Sequence, residues 1–167
     1  IEIKPDYASA YNSLGIAYGR QGNLTKAIQL YEQAIELNPD YAKAYFNLGN
    51  VYYIQGNYTK AIESYEKAIE IKPDDASAYY NLGVAYDEQG NYTKAIRSYE
   101  KAIELNPDYA QAYFNLGNVY YIQGNYTKAI RSYEKALELN PDNASAYFNL
   151  GLAYDEQGNS AKAIESY

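Results

Sequence analysis

The sequence of 167 residues contains no cysteine, histidine, methionine or tryptophan. Without cysteine and histidine, the chain has no thiolate nucleophile, no Ser-His-Asp triad and no zinc site built from the usual nitrogen and sulfur ligands. A disulfide framework is excluded as well, so nothing in the sequence indicates an oxidising compartment. We therefore predict no metal site and no cofactor.

Positive charge is also scarce. The chain contains 14 Lys and Arg residues and 21 Asp and Glu residues, which gives a net charge of −7 and a pI near 4.6. A negative surface repels phosphate backbones, so we do not expect nucleic acid as a partner. We expect basic or neutral partners instead. No segment approaches the ~20 consecutive apolar residues of a membrane helix, and no signal peptide opens the chain. We therefore expect no membrane partner, and we expect a cytoplasmic location.

What the sequence does contain is a repeat. The string NYTKAI occurs at 57–62, 91–96 and 125–130, and the prolines keep the same 34-residue interval at Pro5, Pro39, Pro73, Pro107 and Pro141. A fixed period of this length predicts a stacked helical array in which each unit packs only on its neighbours. With Ala8 as position 1, we expect a single array over 1–167 with units 8–41, 42–75, 76–109 and 110–143, a partial unit 144–167, and 1–7 as the tail of an earlier unit. The missing initiator Met and the ends inside a unit are expected of an excerpt or an engineered array.

Each unit is predicted to form two antiparallel helices. In the second unit, positions 4, 7, 8 and 11 carry the stripe Tyr45, Leu48, Gly49, Tyr52, which has helical spacing. Gly56 suits the residue after a helix C-terminus, and Asn57 suits the N-cap of the next helix. A second stripe with Ala61, Ile62, Tyr65, Ala68 and Ile69 follows before the proline stops the helix. The sequence thus predicts ten helices.

These motifs resemble the tetratricopeptide repeat: Tyr-x-x-Leu-Gly-x-x-Tyr, Ala at positions 20 and 27, Tyr at 24 and Pro at 32. The resemblance covers the whole chain and departs from the family mainly in Tyr for Trp at position 4. It implies an all-α, right-handed superhelical solenoid. First helices would line a concave groove, and second helices would face outward. It also implies a protein-interaction module.

The units alternate, which makes the true period 68 residues. Units two and four differ at six positions, whereas units two and three differ at ten. The alternation falls mainly at positions 2, 9, 10, 12 and 13, and most of these lie opposite the core stripe on a helical wheel. We interpret that face as a groove surface that alternates between apolar-amide and acidic patches.

This surface predicts a site for an extended peptide, with basic residues on the ligand favoured by the acidic patches. Carboxamides can pair with both groups of a peptide backbone, and aromatic rings supply contact area. The asparagine row resembles the ladder in the repeat region of the O-linked N-acetylglucosamine transferases, which holds the backbone of protein substrates. The candidate ligand-binding residues are Asn47, Asn50, Asn81, Asn115, Asn118, Asn149, Phe46, Tyr80, Phe114, Phe148, Tyr53, Tyr121, Asp87 and Asp155. The alternative is that these side chains satisfy neighbouring helices and hold no dedicated ligand.

Catalysis is not expected. The acidic pairs Asp87/Glu88 and Asp155/Glu156 are two units apart, and each helix layer adds ~8–10 Å, whereas paired catalytic carboxylates sit ~5–9.5 Å apart. Two further hypotheses stay open: a scaffold segment that self-associates weakly head-to-tail through uncapped ends, and the substrate-holding arm of a larger enzyme.

Overall fold

The computed structural model describes residues 5–167 and folds them into helices joined by short turns. Residues 1–4, the first part of the segment 1–7 that was predicted to be the tail of an earlier unit, lie outside the described residues. The helices are α1 Pro5–Arg20, α2 Leu24–Leu37, α3 Ala42–Ile54, α4 Tyr58–Ile71, α5 Ala76–Glu88, α6 Tyr92–Leu105, α7 Ala110–Ile122, α8 Tyr126–Leu139, α9 Ala144–Glu156 and α10 Ser160–Ser166. Ten helices were predicted, and ten are found in this part of the chain.

The first helix begins earlier than its counterparts. α1 starts at Pro5, whereas α3, α5, α7 and α9 each start at position 1 of their unit. Proline is well tolerated at the first position of a helix because its missing N–H would have no intrahelical acceptor there. The end of the predicted tail segment is therefore helical and continuous with the first helix of unit one.

The turn inside each unit follows the predicted chemistry. Gly56 has φ +72°, a left-handed conformation that glycine adopts without a Cβ penalty. The Oδ1 atom of Asn57 then accepts a hydrogen bond of 3.2 Å from the backbone N–H of Lys60, which caps α4. The other four units repeat both features.

The core differs in part from the predicted stripe. In unit two, Leu48 and Gly49 are buried as expected, whereas Tyr45 and Tyr52 are only half-buried. The counterparts of Tyr52 in the next three units, Tyr86, Tyr120 and Tyr154, are buried as predicted. The inner face also includes positions 3 and 10, which are occupied by small or β-branched side chains, such as Ala44 at 0% exposure and Val51 at 4%. These side chains are short, so the second helix packs close to the first.

The largest core side chains are the tyrosines at position 24. Tyr65, Tyr99 and Tyr133 are almost fully buried. A Cβ placed on Gly49 would lie 2.6 Å from the ring of Tyr65, so the position-8 glycine makes room for this ring. The sequence predicted a close approach at this glycine, and the approaching group is the tyrosine of the same unit.

Successive helices stack in chain order. Each helix packs against the next one, and each first helix also contacts the first helix of the following unit, as α3 contacts α5. Phenol-to-carboxylate hydrogen bonds join successive units, for example from Tyr120 Oη to Glu100 Oε1 at 3.0 Å and from Tyr154 Oη to Glu134 Oε1 at 2.7 Å. The described chain is therefore an all-α solenoid, and this prediction is confirmed.

Candidate functional site

Two equivalent pockets open on the row of first helices. The first amide pocket is lined by Asn50, Tyr53, Ile54, Tyr65, Asn81 and Val84 and encloses about 350 Å³. The second amide pocket is lined by Asn118, Tyr121, Ile122, Tyr133, Asn149 and Leu152, together with Asp87, and also encloses about 350 Å³. The six paired lining residues are each 68 residues apart, so the pocket repeats with the doubled period.

A hydrogen-bond network fixes the amides of each pocket. In the first, Asn50 Oδ1 accepts from Tyr65 Oη at 2.8 Å and from Asn81 Nδ2 at 2.9 Å. Because both donors converge on this oxygen, the amide nitrogen of Asn50 is left to face other groups. In the second pocket, Asn118 Oδ1 accepts in the same way from Tyr133 and Asn149, at 2.9 Å each.

The junction between the two pockets is built differently. At position 9 of unit three, Val84 stands where units two and four carry asparagine. The hydroxyl of Tyr99 is buried there and, within the described residues, makes no hydrogen bond of normal geometry, although the Asn115 amide lies near it. Asn115 Nδ2 donates instead to Tyr80 Oη at 3.1 Å. Burial raises the pKa of Tyr99 well above its ordinary value.

The asparagine row also links neighbouring first helices. Asn47 Nδ2 donates to Asn12 Oδ1 at 2.9 Å, and the asparagines at the same position in later units donate to the preceding first helix in the same sense. One N–H of each amide is thus already engaged. The asparagine row therefore contributes to the packing between units. The alternative interpretation of these residues, that they satisfy the hydrogen bonds of neighbouring helices, holds to this extent.

The aromatic residues at position 5 lie beside the pockets and pack on their own unit. Phe46 packs on Tyr65 with ring centroids 5.9 Å apart, and Phe114 packs on Tyr133 at the same distance. Tyr80 and Phe148 make equivalent contacts in units three and five. Phe46, Tyr80 and Phe114 are half-buried and line neither amide pocket, whereas Phe148 is 56% exposed.

Two of the four acidic groove residues, Asp87 and Glu88, lie at the amide pockets. Glu88 accepts a hydrogen bond from Tyr53 Oη at 3.3 Å. Asp87 is half-buried, and its pKa is raised first by burial and then by the neighbouring Glu88 charge. In unit five, Asp155 and Glu156 are exposed. None of these four carboxylates forms a salt bridge with a lysine or arginine in the part of the chain that the structure describes.

The structure brings together only part of the predicted site. Asn50, Tyr53 and Asn81 share the first pocket, and Asn118, Tyr121, Asn149 and Asp87 share the second. The candidate list missed the apolar walls of the pockets, formed by Ile54, Val84, Ile122 and Leu152. It also missed Tyr65 and Tyr133, which were assigned to the core. A signal for them was present: a buried tyrosine needs a partner for its hydroxyl, and asparagine stands at position 9 of the same units.

The alternation is not confined to the groove surface. Position 10 alternates between valine and alanine, and Val51, Ala85, Val119 and Ala153 are all buried. This part of the 68-residue period belongs to the packing between helices.

No group of three or more acidic, His or Cys side chains in the described chain could hold a metal ion. None of the described helices is long and apolar enough to cross a membrane.

The fold and the pockets define a helical-repeat solenoid of the protein-interaction class. A family model described as "TPR repeat" matches residues 20–56, 49–90, 87–124 and 117–158. The chain therefore belongs to the tetratricopeptide-repeat family. None of the curated proteins matches it significantly.

Solved structures share the whole fold. Two crystal structures of MamA are 34% and 32% identical to the chain, cover 91% and 98% of it and 89% of their own chains, and superpose with TM-scores of 0.88 and 0.92. The structure of YrrB, described as "a TPR protein with an unusual peptide-binding site", is 28% identical. It covers 93% of this chain and 80% of its own, with a TM-score of 0.82.

Proposed function

We propose that the groove surface binds an extended segment of a partner protein. The observation that carries this proposal is the pair of amide pockets, which repeat the same donors, acceptors and apolar walls along one row of helices. The similarity to YrrB, a protein described by its peptide-binding site, supports it. The residues proposed to contact the segment are Asn47, Asn50, Asn81, Asn115, Asn118, Asn149, Phe46, Tyr80, Phe114, Phe148, Tyr53, Tyr121, Asp87 and Asp155.

The chemistry of each pocket suits a peptide group. Asn50 Oδ1 already accepts two hydrogen bonds, so this amide offers its N–H groups to a ligand. Asn81 donates one N–H within the pocket, and its carbonyl oxygen accepts no side-chain hydrogen bond within the described residues. A donor and an acceptor side by side match the carbonyl and N–H of an extended backbone. The tyrosine below holds the first amide in place, which reduces the entropy lost on binding.

A binding comparison tests this role. An array of peptides would be probed with the wild-type chain and with the double variant Asn50→Ala/Asn118→Ala, which removes one amide from each pocket. Gln29→Ala, which removes an exposed amide on the second helix α2, is the control. We expect the double variant to lose binding by about five- to 150-fold, since a hydrogen bond to a ligand contributes ~0.5–1.5 kcal/mol and two pockets are affected. Equal binding profiles for the wild type and a folded double variant would refute the proposal.

We propose no catalytic role. The acidic pairs Asp87/Glu88 and Asp155/Glu156 belong to units three and five, and two steps between packed helices span ~16–20 Å. That is too far for a carboxylate pair acting on one bond, which needs ~5–9.5 Å. A binding role uses the same carboxylates as fixed charges for a basic ligand.

A second candidate is weak head-to-tail association of this chain. Apolar side chains are exposed on and just after α10, with Ile164 at 75% and Tyr167 at 59% exposure, and on α1, with Tyr7 at 57% and Leu14 at 47%. Sedimentation at increasing protein concentration tests this. The average mass of the wild type should rise, and that of Ile164→Ser should rise less. A constant mass for the wild type would refute it.

A further inference from the structure

We propose that the two amide pockets act together on one ligand. That ligand is an extended partner segment with two apolar side chains about six residues apart, each adjacent to a lysine or arginine. The inference rests on the proposed peptide-binding function. It adds the chemical class of the anchoring side chains and their spacing.

The first observation is the position of exposed apolar surface. From α2 to α8, Ile54 at 67% and Ile122 at 56% are the only large hydrophobic side chains that the described structure leaves exposed. Both line an amide pocket, and they are the same position of their units, 68 residues apart. The facing walls are Val84 and Leu152, which are also apolar. A pocket with apolar walls gains free energy by covering an apolar side chain, at about 25 cal/mol per Å².

The second observation is uncompensated negative charge at both rims. Glu88 lies against Tyr53 of the first pocket, and Asp87 lines the second. Glu156, the counterpart of Glu88, lines a neighbouring pocket together with Tyr126, which packs on Tyr121 of the second amide pocket. These carboxylates form no salt bridge in the described chain. A cationic side chain next to each anchor would therefore complement the site and speed association.

The spacing follows from helix packing. The first pocket starts on α3 and the second on α7, with α5 between them. Two interaxial steps amount to ~16–20 Å, and an extended chain rises ~3.3 Å per residue, so about five to six residues span the pockets. Side chains on the same side of a strand recur every second residue and those of a polyproline II segment every third. A separation of six satisfies both patterns, whereas five and seven satisfy neither.

Calorimetric titration with synthetic peptides tests the inference. The probes carry two leucines, each followed by a lysine, with serine and threonine elsewhere and spacings from about three to about nine residues. We expect the affinity to peak at about six, with one peptide bound per chain. A peptide with a single Leu-Lys pair should bind twice per chain and about 10²–10⁴-fold more weakly, because the second contact is no longer intramolecular.

Variants at the exposed isoleucines locate the effect. Ile54→Ser and Ile122→Ser should each reduce the affinity of the two-leucine peptide to that of the single-leucine peptide, and each should leave one site for the latter. Ile164→Ser, which removes an exposed isoleucine outside both pockets, should change neither value.

The outcomes separate this inference from the function on which it rests. Peptide binding that does not depend on leucine spacing, or that both isoleucine variants leave unchanged, would overturn the two-pocket ligand and leave the groove function standing. No binding of any peptide to the wild type would overturn both.

Discussion

Replacing three equivalent buried tyrosines by phenylalanine should change stability in opposite directions. Tyr65, Tyr99 and Tyr133 occupy position 24 of units two, three and four, and all are at most 1% exposed. The hydroxyls of Tyr65 and Tyr133 donate hydrogen bonds of 2.8 and 2.9 Å, whereas that of Tyr99 has no partner in the described chain. The substitution removes the same oxygen at each site, so the hydrogen bond is the variable.

The magnitudes follow from the energetics of buried polar groups. Loss of a typical hydrogen bond lowers the free energy of unfolding by ~0.5–1.5 kcal/mol, so Tyr65→Phe and Tyr133→Phe should each lose about 1 kcal/mol. An unsatisfied buried hydroxyl costs ~1–3 kcal/mol, so Tyr99→Phe should gain about 1 kcal/mol or more. For a chain of this length, 1 kcal/mol corresponds to a change in Tm of about 2–4 °C.

Urea unfolding followed by far-ultraviolet circular dichroism measures these differences. A change in the midpoint at an unchanged slope reports stability. Units two and four flank unit three symmetrically, and end effects alone would scale the losses without reversing their sign. A loss at Tyr99→Phe equal to that at Tyr65→Phe would show that the Tyr99 hydroxyl has a partner, and it would refute the reasoning.

The reciprocal change should supply the missing acceptor. Val84→Asn places an amide at position 9, as in units two and four, and should stabilise the wild type but not the Tyr99→Phe variant. The double-mutant cycle should show a coupling energy of about 1 kcal/mol. Leu152→Asn is the matched control, because its counterpart hydroxyl belongs to Tyr167, a residue that is 59% exposed and reached by water. A coupling energy near zero at Val84 would contradict the assigned network.

Two further predictions concern pH and position along the array. Burial and neighbouring carboxylates raise the pKa of Tyr53, Tyr120 and Tyr154 to about 12, so the folded state holds these protons above pH 10, where the unfolded chain releases them. The free energy of unfolding should be unchanged below about pH 10 and should fall as the pH rises toward 12. Unfolding midpoints and tyrosinate absorbance, measured on the same samples, check this. A free energy of unfolding that stays constant from about pH 10 to 12 would contradict it. Leu82→Ala in the middle unit should lower the free energy of unfolding by ~2–5 kcal/mol. Leu150→Ala in the last unit should lower it less, although both leucines are 7% exposed. Equal losses in urea titrations would contradict nearest-neighbour stacking.

The sequence predicts the local structure of this chain well because each local signal has one strong physical cause. Gly56 takes a left-handed conformation and Asn57 caps the next helix for reasons contained in a few consecutive residues. The pockets were harder to predict, because they combine three helices. The role of Tyr65 depends on which amide lies within hydrogen-bond distance of its hydroxyl, and a helical wheel of one helix does not contain that information. Position 10 alternates as well but was not part of the stripe assigned to the groove, and Val51 at this position is buried.

The doubled period is best understood at Val84, where packing and the proposed binding surface compete. With asparagine at position 9 in every unit, each buried tyrosine would have an acceptor, as Tyr65 and Tyr133 have. The same asparagine in unit three would replace the apolar wall that Val84 gives the first amide pocket. Valine keeps that wall and leaves the Tyr99 hydroxyl without a partner. Each amide pocket thus needs one unit with asparagine and one with an aliphatic residue at position 9, so two units are the smallest repeat that can form it.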